Sequence, residues 1–259
     1  MKLRFTLLCI AAVFFLTNCH KNVGEKETIV EVEKEFSLQP WEQLDENGGR
    51  FQLRVATLAT QECGGTRVNY YASIVGYKAV VTLRSLAYPA LCGASEPAHD
   101  TIDVGGLQQN ATYEFQINLK DVVFNKGTLY VEPDKYTLEM QKEDGISLST
   151  KQVLRVPQGA VWGFIGNDAA QDKLGTQLLD SLKTVAPPLS MSNGNYGYFN
   201  VNGTGFDIYA PFSTTKPNIR RFLLRLNGSR DELVAKLNKF RSSGLECLLF
   251  TSDGKTFKL

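Results

Sequence analysis

Between residues 29 and 157 the chain is a succession of short segments in which apolar and polar residues alternate. The segments are IVEVEKEF, RFQLRVATL, VNYYASIVGYKAVVTL, DTIDV, TYEFQINL, GTLYV, KYTLEM and ISLSTKQVLRV, and Gly, Asn and Pro lie between them. A period of two is typical of half-buried strands, and no apolar repeat of about 3.6 residues appears in this region. Several such strands separated by turn residues predict an all-β antiparallel sandwich.

The composition excludes several classes of protein. The chain has 259 residues, of which 43% are hydrophobic, so it can bury a core and is neither disordered nor a small disulfide scaffold. The 28 Lys and Arg against 27 Asp and Glu leave a net charge of +1, and we predict no nucleic-acid partner. We find no catalytic or metal-binding motif. The sequence therefore predicts a non-enzymatic protein with no cofactor and no metal.

Residues 104–117, VGGLQQNATYEFQI, resemble one corner of immunoglobulin-like and fibronectin type III domains. In that corner a Leu closes one strand and a Tyr six residues later opens the next, as Leu107 and Tyr113 do here. The resemblance implies that the Tyr113 hydroxyl bonds back to the backbone of the corner. It also implies an immunoglobulin-like sandwich for residues 29–157. It implies no ligand, because a tyrosine corner is a folding device.

Helical patterns appear only after residue 159. Two strand patterns, at 160–165 and 221–226, each lead through a capping box into a helix, and a hairpin pattern follows each helix. The apolar helix residues are Leu174, Leu178, Leu182 and Val185 in the first helix and Leu233, Leu237 and Phe240 in the second. Residues 159–259 are therefore predicted to be an α+β domain of two β-α-β-β units, with an antiparallel sheet and both helices on one face. With the sandwich, this predicts a two-domain protein.

The N-terminus indicates the compartment. Its first 19 residues, MKLRFTLLCIAAVFFLTNC, have a basic start and an apolar run, as a secretory signal has. The last four of them resemble the lipobox of bacterial lipoproteins, in which the Cys is acylated and becomes the first residue. The resemblance implies a signal peptide at 1–18, a lipidated tether at 19–28 attached through Cys19, and an exported protein held on a bacterial membrane, facing the periplasm or the cell surface. Asn18 replaces the usual small residue, so cleavage elsewhere by an ordinary signal peptidase stays open.

The cysteines fit an oxidising compartment. Cys9 leaves with the signal and Cys19 carries lipid, so three cysteines remain. Cys63 and Cys92 both lie beside Gly in loop-like segments and are the natural disulfide pair. Cys247 lies in an apolar strand pattern and is interpreted as a buried small hydrophobe.

Two sets of residues are candidates for ligand contact. Strand alternation in the segment 192–209 places Tyr196, Tyr198 and Asn200 on one face, and with Tyr209 these side chains suit stacking on sugar rings and bonding to hydroxyls. The alternative is that the tyrosines shield the sheet.

The basic residues after position 211, above all Arg220, Arg221 and Arg225, form the second set. A patch of this kind could meet an anionic polysaccharide or lipid headgroups. The ordinary alternative is a solvated face, because alternation along a strand would scatter such residues.

Catalysis has weaker candidates. His99 stands beside Asp100, but no Ser or Cys lies in a nucleophile motif, so we interpret it as a solvated loop histidine. Asp100 with Asp103, and Asp168 with Asp172, are available carboxylate pairs.

The sequence therefore favours an envelope lipoprotein acting as a binding or adhesion module or an accessory subunit, with a glycan or an envelope protein as partner. A secreted hydrolase using Asp and Glu between the domains, and a purely structural lipoprotein that binds protein, are the alternatives.

Overall fold

The computed structural model describes residues 32–203, 205–209 and 214–259. The predicted signal peptide at 1–18, the tether at 19–28 and the lipid attachment residue Cys19 lie outside the described residues. Most of the described chain is β-strand, and its two α-helices are too short and too polar to cross a membrane.

Ten strands come first in the described part of the chain. They are β1 (Phe36–Gln43), β2 (Arg50–Gln61), β3 (Arg67–Val75), β4 (Lys78–Ala87), β5 (Glu96–Asp103), β6 (Ala111–Leu119), β7 (Val123–Val131), β8 (Lys135–Met140), β9 (Ile146–Leu148) and β10 (Gln152–Leu154). They form a four-stranded sheet in the order β5-β2-β1-β9 and a six-stranded sheet in the order β10-β8-β7-β6-β4-β3.

The two sheets share one hydrophobic core. In β6 the side chains of Tyr113, Phe115 and Ile117 are buried, while Glu114 between them is exposed. Leu38, Leu53 and Ile102 of the four-stranded sheet join the same cluster. The alternation in the sequence is therefore the pleat of strands that bury one face each, which is the arrangement expected of a sandwich.

Two details differ from the prediction. The first strand begins at Phe36, where the predicted strand at 29–36 ends, and it contains Pro40 and Trp41. The sheets are also not wholly antiparallel, because β1 pairs with β9 and β4 pairs with β6 in parallel. The route of the chain explains the second pair. After β4 the chain crosses to the four-stranded sheet, where it forms β5, and it then returns to the six-stranded sheet as β6, which runs in the same direction as β4.

The corner before β6 has the predicted bond. The Gln108 amide N–H donates to the Tyr113 hydroxyl oxygen over 2.8 Å, and the Tyr113 side chain is buried. Asn110, between the two, has a φ of 56°, a left-handed conformation that Asn tolerates. The hydroxyl thus satisfies a backbone donor at the turn that leads into β6.

The rest of the chain contains both helices. Its elements are β11 (Ala160–Asn167), a short 3₁₀ turn (Ala169–Gln171), α1 (Asp172–Lys183), β12 (Gly194–Asn195), β13 (Phe199–Asn202), β14 (Gly205–Ile208), β15 (Asn218–Arg225), α2 (Arg230–Asn238), β16 (Glu246–Thr251) and β17 (Thr256–Lys258). The sheets are β15-β11-β16-β17, antiparallel throughout, and the separate β12-β13-β14.

Helix α1 packs on the four-stranded β15-β11-β16-β17 sheet through Leu178 and Leu182, and α2 through Leu233 and Leu237. Leu174, predicted to lie on the same face, is instead 36% exposed in the first turn of α1. The Glu232 amide N–H donates to the Ser229 hydroxyl at the start of α2, as the capping pattern predicts.

The two predicted units differ in where their hairpins lie. The hairpin β16–β17 continues the sheet of β11, whereas β13–β14 forms a separate small sheet. Every residue of β11 is buried, because its helix-side residues pack on α1 and α2 and Trp162 packs on Phe199 of the small sheet. Leu44, just beyond β1, packs in the same cluster as Trp162 and Phe199. Residues Glu33–Leu259 form one compact unit. The division of the chain at 157–159 stays a prediction.

Candidate functional site

An aromatic hollow of about 620 Å³ lies where β1 and β2 meet the β16–β17 hairpin and the segment before β13. Its lining residues are Gln39, Trp41, Gln43, Leu44, Arg54, Trp162, Asn195, Gly197, Tyr198, Tyr209, Phe250, Thr251, Gly254, Lys255 and Thr256. The lining thus contains aromatic rings, side-chain amides, hydroxyls and two cations.

The first wall is the outer face of β1. Because side chains alternate along a strand, Gln39, Trp41 and Gln43 share the face that points away from the core, while Leu38 points into it. The strand therefore sets a tryptophan between two amides, each able to donate and to accept a hydrogen bond.

Arg54 of β2 completes this wall. Trp41 is paired with Gln52 and Gln39 with Arg54, so Arg54 is the diagonal cross-strand neighbour of Trp41. Its guanidinium carbon lies 3.1 Å from the centroid of the Trp41 ring, in a cation–π contact. No described residue forms an ion pair with it.

The floor is a group of packed aromatic rings. The ring centroid of Tyr198 lies 4.8 Å from that of Trp41 and 5.8 Å from that of Trp162, and Phe250 stacks on Trp162 at 5.8 Å. The Leu44 amide N–H donates to the Tyr198 hydroxyl over 3.3 Å, and burial raises the pKa of this hydroxyl above its ordinary value. Tyr198 therefore stays a neutral, oriented ring at physiological pH.

Trp162 carries an unsatisfied donor. Its side chain is 1% exposed, and its indole N–H has no hydrogen-bond partner in the described part of the chain. Tryptophan in a protein interior usually finds a partner for this group. The indole nitrogen is itself buried, so this donor is not exposed in the hollow.

Two glycines allow the walls to approach β1. Gly197 has a φ of +80°, and a Cβ there would lie 3.1 Å from the Trp41 ring. Gly254, in the β16–β17 turn, has a φ of +78°, and a Cβ there would lie 2.5 Å from the Leu44 carbonyl oxygen. Both turns need a left-handed backbone and no side chain, which glycine supplies.

Among the described residues that line the aromatic hollow there is no Asp or Glu. Flat apolar rings beside amides and hydroxyls are the arrangement that stacks on a sugar ring and bonds to its hydroxyls. A glycosidase needs a pair of carboxylates at the scissile bond. The described lining contains no such pair.

The predicted tyrosine face is only partly present. Tyr198 and Tyr209 line the aromatic hollow, and Tyr209 is 53% exposed. Tyr196 is buried instead: its ring stacks on Phe199 at 5.0 Å and its hydroxyl donates to the Ser192 carbonyl oxygen. The alternation fails because the chain bends at Gly197 before β13 begins at Phe199. Asn200 lies in β13, outside the lining.

The predicted basic residues do not come together. Arg220 and Arg221 are neighbours in β15 and point to opposite faces: Arg220 pairs with Asp172 at α1, and Arg221 lies 4.0 Å from Asp207 in β14. Arg225 lies at the far end of the strand, at the edge of a second hollow. These three arginines therefore lie apart from one another, and Arg220 is paired and only partly exposed.

The candidates for catalysis are engaged elsewhere. His99 is exposed and lies in strand β5, not in the predicted loop, and the carboxylate of the adjacent Asp100 binds Arg67 at 2.8 Å. Asp103 pairs with Arg50 at 3.0 Å. The carboxylates of the other predicted pair bind cations in the same way, Asp168 with Lys216 and Asp172 with Arg220. No two of them converge on the aromatic hollow.

The second hollow, of about 590 Å³, does contain carboxylates. They are Asp45, Glu46, Asp134 and Asp253. Glu46 pairs with Lys255 at 2.9 Å, which lowers its pKa. Burial raises the pKa of Asp253, but hydrogen bonds from Thr251 and Arg230 outweigh it and the net shift is downward. A general acid needs a raised pKa, so these two carboxyls do not suit that role.

The cysteines are arranged as predicted. Cys63 and Cys92 form a disulfide with their Cα atoms 4.6 Å apart, and Gly64 and Gly93 beside them exchange backbone hydrogen bonds. Cys247 is free and buried, and burial raises the pKa of its thiol to about 12. It is therefore a small core residue and not a thiolate nucleophile.

Sequence reasoning missed most of the aromatic hollow. The sequence pattern does not single out Trp41 or Arg54, and it indicates only a strand for Trp162. A signal existed in QPWEQ, residues 39–43, where a Trp alternates with two Gln.

Comparison with protein families, with curated protein sequences and with solved structures found no match to this chain.

Proposed function

We propose that this chain is an exported, membrane-anchored lipoprotein whose folded part binds a glycan in the aromatic hollow without catalysing a reaction on it. The observation that carries the proposal is the lining itself. Aromatic rings and the amides of Gln39, Gln43 and Asn195 surround a hollow in which no described lining residue is a carboxylate. Such a site can stack on a sugar ring and bond to its hydroxyls, but its described residues supply no carboxylate to act as acid or base.

The anchor rests on the sequence. The lipobox-like residues 16–19 and the polar segment that follows them fit a protein tethered by acyl chains at Cys19. The Cys63–Cys92 disulfide supports export, because disulfides persist in oxidising compartments.

We also propose that residues 29–157 are related in architecture to immunoglobulin-like domains. The bond from Gln108 to the Tyr113 hydroxyl and the neighbours β1, β2 and β5 in one sheet support this relation. The parallel pairing of β4 with β6 departs from it.

Tryptophan fluorescence provides a direct binding assay. The chain has two Trp residues, and both line the aromatic hollow. Titration of the purified chain with a panel of soluble oligosaccharides should change the emission for at least one of them. Tyr209→Ala should weaken that binding by about fivefold to a hundredfold, because stacked aromatic contacts contribute roughly 1–3 kcal/mol.

Tyr71→Ala is the matched control, since Tyr71 is 54% exposed but lies on β3, away from the lining. It should leave the affinity unchanged. Equal losses in both variants, or no binding to any oligosaccharide, would contradict the proposed site.

The anchor needs its own test. Bacteria that express the chain would be fed an alkyne-tagged fatty acid, and the protein would be examined for label. Cys19→Ala should abolish labelling, whereas Cys9→Ala, inside the predicted signal, should retain it. Label that persists in Cys19→Ala would contradict lipidation at this residue.

A further inference from the structure

The charge of the aromatic hollow has one sign. Its lining contains the cations Arg54 and Lys255 and, among the described residues, no anion. Lys255 is neutralised, because its ammonium group lies 2.9 Å from the carboxylate of Glu46. Arg54 has no such partner in the described part of the chain. The unbalanced charge of the hollow is therefore that of one guanidinium group.

This guanidinium group is held in place without being neutralised. Its contact with Trp41, 3.1 Å from guanidinium carbon to ring centroid, uses the flat face of the group. The N–H donors lie in the plane of the group, at its edge, and an interaction with the face leaves that edge for a second partner. A carboxylate or sulfate meets such an edge with two parallel hydrogen bonds.

We propose that the aromatic hollow selects an acidic sugar, one that carries a carboxylate or a sulfate, and that Arg54 is the specificity-determining residue. This inference rests on the proposed function, because it names the class of glycan for the same site. The anionic group would bind at the edge of Arg54, while the sugar ring lies against the aromatic side chains and its hydroxyls meet the lining amides.

The position of Arg54 fits this role. It lies directly opposite Gln39 in the ladder between β1 and β2, so the cation and the amide are neighbours on one wall. Tyr209 is the most exposed aromatic ring of the hollow and lies in the segment after β14. A ligand that spans from this ring to Arg54 would contact both the apolar and the charged part of the lining.

The test compares acidic and neutral ligands on the purified full chain. The probes are oligogalacturonate, its carboxyl-reduced counterpart, a sulfated galactan oligosaccharide that carries no carboxylate, and a neutral galacto-oligosaccharide. We expect the chain to bind at least one acidic probe at least about tenfold more tightly than the neutral probes, since a charge-assisted hydrogen bond contributes about 1.5–3 kcal/mol. The preference should fall as salt is raised. The two acidic probes distinguish a carboxylate from a sulfate.

Two variants locate the selectivity. Arg54→Gln should lose the preference for the acidic probe and keep the affinity for the neutral one. Lys78→Gln is the matched control and should keep the preference, because Lys78 pairs with Glu114 at 2.9 Å and lies outside the lining. Retained preference in Arg54→Gln with an unchanged circular dichroism spectrum would overturn the inference. Equal binding of acidic and neutral probes by the wild type would also overturn it and leave glycan binding intact, whereas binding of neither would overturn both proposals.

Discussion

Glu42 and Arg155 form an ion pair that is almost sealed from solvent. The Glu42 Oε1 and Arg155 Nε atoms are 3.0 Å apart, and the two side chains are 1% and 15% exposed. The other carboxylate oxygen of Glu42 accepts the Val156 amide N–H at 2.7 Å. One side chain near the end of β1 thus holds the segment that leads into β11, beneath the wall that carries Trp41.

Loss of the cation should be costly. Arg155→Met leaves an ionised carboxylate buried with no counter-charge, and we expect the free energy of unfolding at pH 7 to fall by about 3–5 kcal/mol. Urea denaturation measures this change. Arg50→Met is the control, because Arg50 is an exposed partner of Asp45 and Asp103, and its loss should cost roughly 1 kcal/mol or less. Similar costs in the two variants would contradict a special role for the buried pair.

The same carboxyl should make stability depend on pH. Burial raises the pKa of Glu42 above its ordinary value of 4.5, although the Val156 N–H and Arg155 act in the opposite direction. The folded protein therefore takes up this proton at a higher pH than the unfolded chain does. The contribution to the free energy of unfolding is complete below 4.5 and is lost as the pH rises through the folded-state pKa.

Glu42→Gln isolates this contribution, since every other group is common to both proteins. In urea denaturation at a series of pH values, the wild type should gain stability relative to Glu42→Gln as the pH falls from 7.5 toward 4.5. A constant difference, or one of opposite slope, would show that the pKa is not raised. The cost of Arg155→Met should shrink over the same range, because protonated Glu42 needs no counter-charge.

The sequence predicts the features that depend on a local residue pattern or that leave few possible pairings. The corner of Gln108 and Tyr113 is local, and the disulfide follows once the first two cysteines are assigned to the leader and the anchor. The aromatic hollow is different, because Arg54 reaches Trp41 only through the register of two strands and Trp162 reaches Tyr198 only through the packing of distant segments. Alternation also misplaces Tyr196, since a single glycine with positive φ ends the period of two.

The disulfide should stabilise the fold without forming the site. Cys63 and Cys92 are 29 residues apart, and closing such a loop contributes about 3.5 kcal/mol in the chain-entropy model. Reduction, or the double variant Cys63→Ala/Cys92→Ala, should lower the free energy of unfolding by about this amount and leave oligosaccharide affinity unchanged. Cys247→Ala is the control: its stability should still respond to reductant as the wild type does. A fold insensitive to reductant would contradict the stabilising role.

The corner before β6 should depend on one hydroxyl. Tyr113→Phe keeps the ring and leaves the Gln108 amide N–H without its partner, and we expect a loss of about 1–3 kcal/mol in the free energy of unfolding. Tyr77→Phe is the matched control, because the Tyr77 ring packs on Tyr113 but its hydroxyl is exposed and lies 3.5 Å from Gln108 Oε1. That variant should be within about 0.5 kcal/mol of wild type. Equal effects would show that the corner bond contributes nothing specific.

The aromatic hollow should depend on the glycine that lets the chain bend beside Trp41. Gly197→Ala places a methyl group 3.1 Å from the ring in a backbone with a φ of +80°, so both strain and overlap oppose it. Gly76→Ala is the control for backbone strain without overlap, because Gly76 has a φ of +59° and open space around it. We expect Gly197→Ala to cost about 1–3 kcal/mol more than Gly76→Ala in urea denaturation, to shift the tryptophan emission and to weaken oligosaccharide binding. If the two variants lose the same stability and keep the wild-type emission, the contact between Gly197 and Trp41 does not constrain the hollow.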